Sequence, residues 1–376
     1  MKNKLLLLIF LGISILFNSC KQKQEEFNIS AEITGFEDNS KVIVSDRITG
    51  KILDSTTIIK NNFTLKGILD NAPTDLSLVI TSSADKDNLY SSFFIGNENV
   101  KISGDKSNFK DNLKITGSKH NKFKVELDNL LNHLSKERSK KVQKMFSLRN
   151  EGKWNDSLHQ AYWGKNGTIR QIDAQIFEKR KTFISKNINS DYALSQLVTY
   201  KNDFSKEFVN EQISKLNSTF KNTEYVNVIN TAINTQQLKI NDKFYNFSAE
   251  NINGNRVSFA DFFDKKYVLL EFFSPYCGIC LGALPEIKKI AHNNKLDVIS
   301  LYVDKSKEDW IEHIEKENID WVSLWIDKGR YSDAYSKYHI TGTPTYYLFD
   351  KNGVLVKKWV GWYGKEFRTQ LNELMK

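Results

Sequence analysis

The sequence predicts a multi-domain chain with an all-β N-terminal domain, an α-helical middle segment and a C-terminal α/β unit. Three observations carry this prediction. Short apolar runs of period two recur from Phe27 to Gly117, the period becomes helical from Ser118, and from Lys239 apolar strands alternate with helical stretches. At 376 residues the chain is too long for one ordinary core. Its 40% hydrophobic and 26% charged residues read as globular, neither disordered nor multi-spanning. The 54 basic and 45 acidic residues give a net charge of +9, but they are scattered and form no stripe of the kind nucleic-acid binding needs. Weak attraction to anionic membrane surfaces is the milder consequence.

Residues 1–26 follow a separate logic. Lys2 and Lys4 precede one apolar run from Leu5 to Phe17, too short to span a bilayer and suited to a secretory signal. Ser19 just before Cys20, with Leu16 and Phe17 upstream, resembles a loose form of the bacterial lipoprotein signal. That resemblance implies a signal peptide over 1–19, cleavage before Cys20, acylation of Cys20 and a polar tether over 20–26. The chain would then be lipid-anchored to a membrane in the cell envelope, facing the periplasm. An uncleaved or conventionally cleaved signal is the alternative.

Between Phe27 and Gly117, Phe27, Ile29, Ala31 and Ile33 alternate on one side of a first run. Further runs at Lys41 to Ser45, Asn62 to Leu69, Leu76 to Thr81, Ser92 to Ile95, Val100 to Ser103 and Leu113 to Thr116 are punctuated by Gly35, Gly50, Gly96, Gly104 and Gly117. Short strands at this spacing argue for a sandwich or barrel-like unit over 27–117. From Ser118, Phe123, Leu127, Leu130, Leu131 and Leu134 recur at helical spacing, as do Ile169, Ile172, Ile176, Phe177 and Phe183. The stretch Gly152 to Gly167 should interrupt the first long helix. No Gly or Pro follows until Gly254, which predicts continuous helices with Asn189-Ser190 as a cap. The segment 118–238 reads as a packing spacer.

The last unit, 239–376, begins with a strand, an Asn253-Gly254 hairpin and a second strand between Phe244 and Phe263. Tyr267 to Phe273 is a nearly unbroken apolar run, as in a strand buried on both faces. A helix from Cys277, a strand Leu296 to Val303, a helix Lys307 to Asn318 and a short helix Ala334 to Tyr338 follow. Strands Thr345 to Phe349 and Val354 to Val360 flank the Asn352-Gly353 turn, and Lys365 to Met375 is a final helix. This alternation describes a mixed sheet covered on both sides.

The chemistry lies at the junction of the apolar strand with its helix. The chain has three cysteines; with Cys20 assigned to lipid, Cys277-Gly278-Ile279-Cys280 remains, too few for a disulfide framework and suited to a redox centre. Cys277 at a helix N-terminus has its thiolate favoured by the unpaired amides and macrodipole, making it the expected nucleophile. Cys280, one turn in, would resolve the mixed disulfide. Half of a zinc site is the competing reading, but no second cysteine pair exists, and His292, His313 and His339 lack short ligand spacing.

Leu269 to Pro285, LLEFFSPYCGICLGALP, together with Gly342-Thr343-Pro344-Thr345, resembles the thioredoxin superfamily and, within it, the extracytoplasmic TlpA/ResA-like disulfide reductases. Residues 27–117 resemble, by pattern and position, the β-rich domain of unknown function found ahead of thioredoxin domains in bacterial lipoproteins. The first resemblance implies a thioredoxin fold over 239–376, a cis Pro344 beside the thiols, Thr343 as the residue that pairs with an extended substrate, and Pro285 shaping the active-site helix. Glu271 stands where classical thioredoxins have a buried aspartate, which makes it a candidate base for the Cys280 proton; a Glu reaching solvent or a lysine is the alternative. Tyr276 stands where the family usually has Trp, keeping an aromatic flank for partners. Ala283 replaces the carboxylate of ResA-like proteins, a departure from their apocytochrome duty. The implied partners are exported protein disulfides or thiols and a membrane electron donor. No cofactor or metal beyond the Cys277/Cys280 disulfide is expected. Two other functions remain open, a peroxiredoxin-like peroxidase and a lipid-anchored binding protein with the thioredoxin unit as scaffold.

Overall fold

A computed structural model describes residues 26–376 except 49, 70–72, 83–87, 111–112, 304–306 and 363. Residues 1–25, and with them the expected signal peptide, Cys20 and nearly all of the tether, lie outside the described residues. Among those described, the N-terminal part is all-β: β1 Phe27–Thr34, β2 Lys41–Asp46, β3 Ile52–Thr57, β4 Asn62–Gly67, β5 Thr74–Thr81, β6 Asn88–Ile95, β7 Asn99–Asp105 and β8 Lys114–Thr116. They form two four-stranded sheets, β4-β1-β7-β8 and β3-β2-β5-β6. Alternate residues face inward, so Phe27 and Ile29 of β1, Val100 and Ile102 of β7, Val42 and Val44 of β2 and Leu76, Leu78 and Ile80 of β5 share one core. The sequence reading passes over β3, because this edge strand has no buried residue and shows no apolar alternation.

Helices α1 Asn121–Asn150, α2 Asp156–Trp163, α3 Thr168–Asn187, α4 Asp191–Thr199, α5 Lys206–Ser214, α6 Ser218–Lys221 and α7 Glu224–Asn234 follow. The region after Gly167 is more broken than expected. Besides Ser190, the side chains of Ser205 and Asn217 accept amide hydrogens from Phe208 and Thr219, each starting a new helix. Interruption therefore comes from side-chain caps, which the absence of Gly and Pro does not reveal.

The C-terminal part holds β9 Ser248–Asn251, β10 Arg256–Ser258, β11 Tyr267–Phe273, α8 Gly278–Ala291, β12 Leu296–Tyr302, α9 Lys307–Glu317, β13 Val322–Trp325, α10 Asp333–Lys337, β14 Thr345–Phe349, β15 Leu355–Val360 and α11 Lys365–Leu374. One seven-stranded sheet runs β10-β9-β13-β12-β11-β14-β15, with β11, β12 and β13 parallel and the other pairs antiparallel. Because neighbouring strand residues point to opposite faces, Val268, Leu270 and Phe272 pack with α10, while Leu269 packs with Ile287 of α8 and Leu371 of α11. Glu271, two residues on from Leu269, shares the α8 face.

The three parts are joined by specific contacts. Phe94 of β6 lies in the helical core, 5.1 Å from the Tyr192 ring. The buried Lys201 amine donates to the Arg330 carbonyl at 3.2 Å, and the Asn202 side chain donates to the Ile340 carbonyl at 3.0 Å. Gly329, with φ +46°, lets the turn after β13 pass close to the end of β12: a Cβ there would come within 2.3 Å of the Val303 carbonyl oxygen. No helix among the described residues is long and apolar enough to cross a membrane.

Candidate active site

Strand β11 delivers the chain to the centre of the sheet, and Ser274-Pro275-Tyr276 turns it into α8. The turn is held by the Cys277 amide donating to the Ser274 carbonyl at 3.1 Å. Cys277 is the N-cap of α8, and its Sγ accepts the Cys280 amide hydrogen at 3.4 Å. The helix end thus points an otherwise unpaired amide at this sulfur, which favours a negative charge there. The Cys277 thiol in turn donates to the Thr343 carbonyl at 3.2 Å. The Thr343-Pro344 bond is cis, and the Thr343 amide has no backbone partner among the described residues. Both thiols are free; Cys277 is partly exposed, whereas Cys280 is fully buried against Phe273, Tyr302 and Trp310.

Pro285 lies inside α8, and Ala283 is fully buried there. Tyr276, Ile279 and Leu281 form an exposed apolar rim around Cys277, with relative exposures of 57%, 56% and 40%. The Tyr276 hydroxyl donates to Asp309 at 3.1 Å, which steadies the ring.

Glu271 does not reach solvent or a lysine. It is 1% exposed, and its Oε2 accepts a 2.7 Å hydrogen bond from the Ser300 hydroxyl, whose oxygen accepts the Trp321 indole N–H at 2.9 Å. Oε1 is buried without a hydrogen-bond partner among the described residues. Tyr346 is its cross-strand neighbour; that hydroxyl meets hydrogen-bond geometry with nothing among the described residues, yet lies near enough to oppose the effect of burial. Burial prevails over Ser300 and Tyr346 and pushes the Glu271 carboxyl up to about 7. Burial, followed by the contact with Cys277, pushes the Cys280 thiol far above its ordinary value, and a charge on Glu271 pushes it the same way. The two buried acids are therefore in electrostatic reach of each other beneath the exposed sulfur.

The structure brings Cys277, Cys280, Thr343, Pro344, Tyr276 and Glu271 to one end of the sheet. Sequence reading did not single out Ser300 and Trp321, although a serine in the apolar run of β12 is a signal of the same kind as Glu271 in β11. His313 of α9 also went unremarked as a neighbour: its ring lies 5.2 Å from that of Phe273 and 5.7 Å from that of Tyr302. Burial holds it below its ordinary value, and its Nε2 is buried without a partner among the described residues. No three His, Cys, Asp or Glu side chains among the described residues stand together as a metal site.

Residues 27–123 match the family described as a domain of unknown function (DUF4369), and residues 264–355 match the family described as thioredoxin-like. No curated protein matches the chain. Among solved structures, the thioredoxin domain of a thiol-disulfide oxidoreductase from Bacteroides vulgatus is 24% identical, covering 37% of this chain and 100% of its own, with a TM-score of 0.34. A thiol-disulfide oxidoreductase from Bacteroides fragilis is 25% identical over 35% of this chain and 99% of its own, TM-score 0.32. A thiol:disulfide interchange protein from a Bacteroides species is 24% identical over 37% of this chain and 91% of its own, TM-score 0.33. The chain thus has an all-β N-terminal part that matches the DUF4369 family over residues 27–123 and a C-terminal α/β part of thioredoxin-like fold that matches the thioredoxin-like family over residues 264–355.

Proposed function

We propose that this protein is an extracytoplasmic thiol-disulfide oxidoreductase that reduces or exchanges disulfides of exported proteins through Cys277 and Cys280. The observation that carries the reading is the unequal pair of thiols, a partly exposed Cys277 capping α8 beside Thr343 and a fully buried Cys280 within reach of Glu271. The Cys277 thiolate attacks one sulfur of the partner disulfide, forming a mixed disulfide and expelling the other sulfur as a thiolate. Glu271 then accepts the Cys280 proton, and the Cys280 thiolate attacks Cys277 Sγ. The partner leaves with both electrons as a dithiol, and a Cys277–Cys280 disulfide remains for a membrane electron donor to reduce. Pairing of an extended partner segment with the Thr343 amide, over the rim of Tyr276, Ile279 and Leu281, supplies binding without demanding one sequence.

Gly278-Ile279 carries no charge and no histidine that would favour the thiolate of a strong oxidant, which supports the reducing direction. Equilibration of the pair with glutathione is expected to give a potential nearer to about −270 mV than to about −120 mV, with tenfold in equilibrium for every 30 mV or so. A value close to the upper figure would reverse the proposed electron flow. The anchor rests on residues 1–20: Cys20→Ser is expected to move the chain from the membrane fraction to the soluble fraction, and retention in the membrane would remove the lipid-anchor proposal.

A further inference from the structure

Bases that are scattered along the sequence are gathered by the fold into one helical arm. In α1 the side chains that join the helical core end at Leu131, and in α3 they begin at the partly buried Ile176 and Phe177. Residues 135–175 extend past that core: the distal half of α1, rising about 24 Å, returns through α2 along the start of α3. The arm is tied to itself. Arg138 pairs with Asp173 at 2.5 Å, and the Trp163 indole N–H donates to the Met145 sulfur at 3.3 Å. Among the described residues, every side-chain hydrogen bond, ion pair and ring contact of 135–175 stays inside the arm.

This segment holds nine Lys and Arg against four Asp and Glu, a net charge of +5 out of +9 for the whole chain. Three of its acids are engaged, Asp173 by Arg138, Glu137 by Lys141 and Glu151 by Lys153. Lys136, Lys140 and Lys144 follow one turn apart on a single exposed face of α1 and meet no acid at ion-pair distance among the described residues. Like charges at this spacing repel one another, and negative charge from outside relieves them. At the far end Phe146 is 53% exposed, and the Arg149 guanidinium stands 5.1 Å from the Trp154 ring, which meets Tyr162 edge-on at 5.5 Å. Basic heads around amphipathic aromatic rings suit a membrane interface, where the rings sit at headgroup level and the cations meet phosphates. An acidic protein tract would use the lysines and leave Phe146 without a partner.

The base of the arm lies beside the start of β1. The Glu98 carbonyl accepts the Asn28 amide hydrogen at 3.1 Å and its carboxylate accepts the Ser118 hydroxyl at 2.6 Å, while Ser118 Oγ accepts the amide hydrogen of Asn121, which opens α1. We propose that this arm docks on an anionic lipid surface, with Lys136, Lys140 and Lys144 against headgroup phosphates and Phe146 and Trp154 at the interface. A lipid on Cys20 would hold the base of the arm close to the same surface. Only that last relation rests on the lipid-anchor proposal.

The experiment is cosedimentation with vesicles of phosphatidylcholine alone or mixed with phosphatidylglycerol. It uses the chain from residue 20 onward with Cys20→Ser, which keeps every described residue and has neither leader nor lipid. Binding to the mixed vesicles that falls with added salt, and none to phosphatidylcholine alone, is expected. Changing Lys136, Lys140 and Lys144 together to Gln should weaken it about a hundredfold, at roughly fivefold for each base near the surface. The same loss of charge at Lys295, Lys351 and Lys376, all exposed in the thioredoxin-like part, should leave it nearly unchanged. Phe146→Ser should weaken it severalfold even at high salt. Glutamine forms helix about as well as lysine, and far-ultraviolet dichroism checks each variant; should the triple variant lose helix, a loss of about fivefold in each single variant carries the test. Equal losses in the two triple variants overturn the proposal, as do equal binding to both kinds of vesicle and absence of binding to either. Tighter binding to polyglutamate than to mixed vesicles of equal charge overturns it in favour of an acidic protein. Because lipid is absent from this measurement, its failure and a failure of the Cys20 anchor are separate results.

Discussion

Cys277→Ser is expected to reduce disulfide reduction by about 10³-fold or more, measured on the interchain disulfides of insulin, because a serine hydroxyl at neutral pH is not a competent nucleophile toward sulfur. Cys280→Ser should behave differently. The first attack remains possible, the resolving thiol is missing, and the enzyme should accumulate as a mixed disulfide through Cys277 that intact-mass analysis detects. The asymmetry follows from position, since Cys280 is fully buried and cannot meet a bulky partner directly. If Cys277→Ser retained turnover, or if trapping occurred through Cys280, the assignment of nucleophile and resolver would fail. Peroxide consumption that survived in Cys280→Ser would favour peroxidase chemistry instead.

Glu271→Gln is expected to produce two opposite effects. The carboxyl titrates near its ordinary 4.5 when unfolded and at about 7 in the fold. Below pH 4.5 both states hold the proton and the group costs nothing. Between 4.5 and 7 the unfolded chain ionises while the folded one stays neutral, so stability falls as pH rises, and above 7 the whole penalty is present. At about 1.4 kcal/mol for each tenfold change in proton affinity, the penalty is on the order of 3 kcal/mol. Glutamine removes it, so the variant should be more stable than wild type by about that much at pH 8 and nearly equal to it at pH 4, measured by chemical denaturation. Activity should move the other way. Loss of the base is expected to slow release from the mixed disulfide by about 10²-fold, and the rise of that rate through pH 7, where Glu271 becomes able to accept a proton, should disappear. Ser300→Ala serves as the matching control: removing a donor to the carboxylate raises its titration further and should shift the inflection to higher pH with the base still present. An unchanged pH profile in Glu271→Gln would exclude it as the proton acceptor.

Local patterns made much of this architecture readable. A two-residue spacing between cysteines, a strand of seven mostly apolar residues and a Thr-Pro pair each express their physics within a few positions, as does the alternation of Phe27, Ile29, Ala31 and Ile33. Where a signal of this kind is weak, reading fails, as at β3, which buries no residue, or at Ser205 and Asn217, whose power to start a helix lies in a side-chain hydrogen bond.

The environment of Glu271 is of another kind. Its serine lies on β12 and its tyrosine on β14, and the parallel and antiparallel registers of the sheet bring them to it. Burial then raises a carboxyl that the sequence left between a base and a solvated side chain. One cavity is lined by residues between Arg47 and Tyr331, drawn from the sandwich, the helices and the turn after β13, so no window of sequence contains it. Much of the order of strands and helices and the placing of the two cysteines at the strand-to-helix junction were thus determined by the sequence itself, because periodicity and spacing act over a few residues. Which side chains lose their water, and which charges share a cavity, was decided only by the tertiary structure, because desolvation depends on neighbours that arrive from distant parts of the chain.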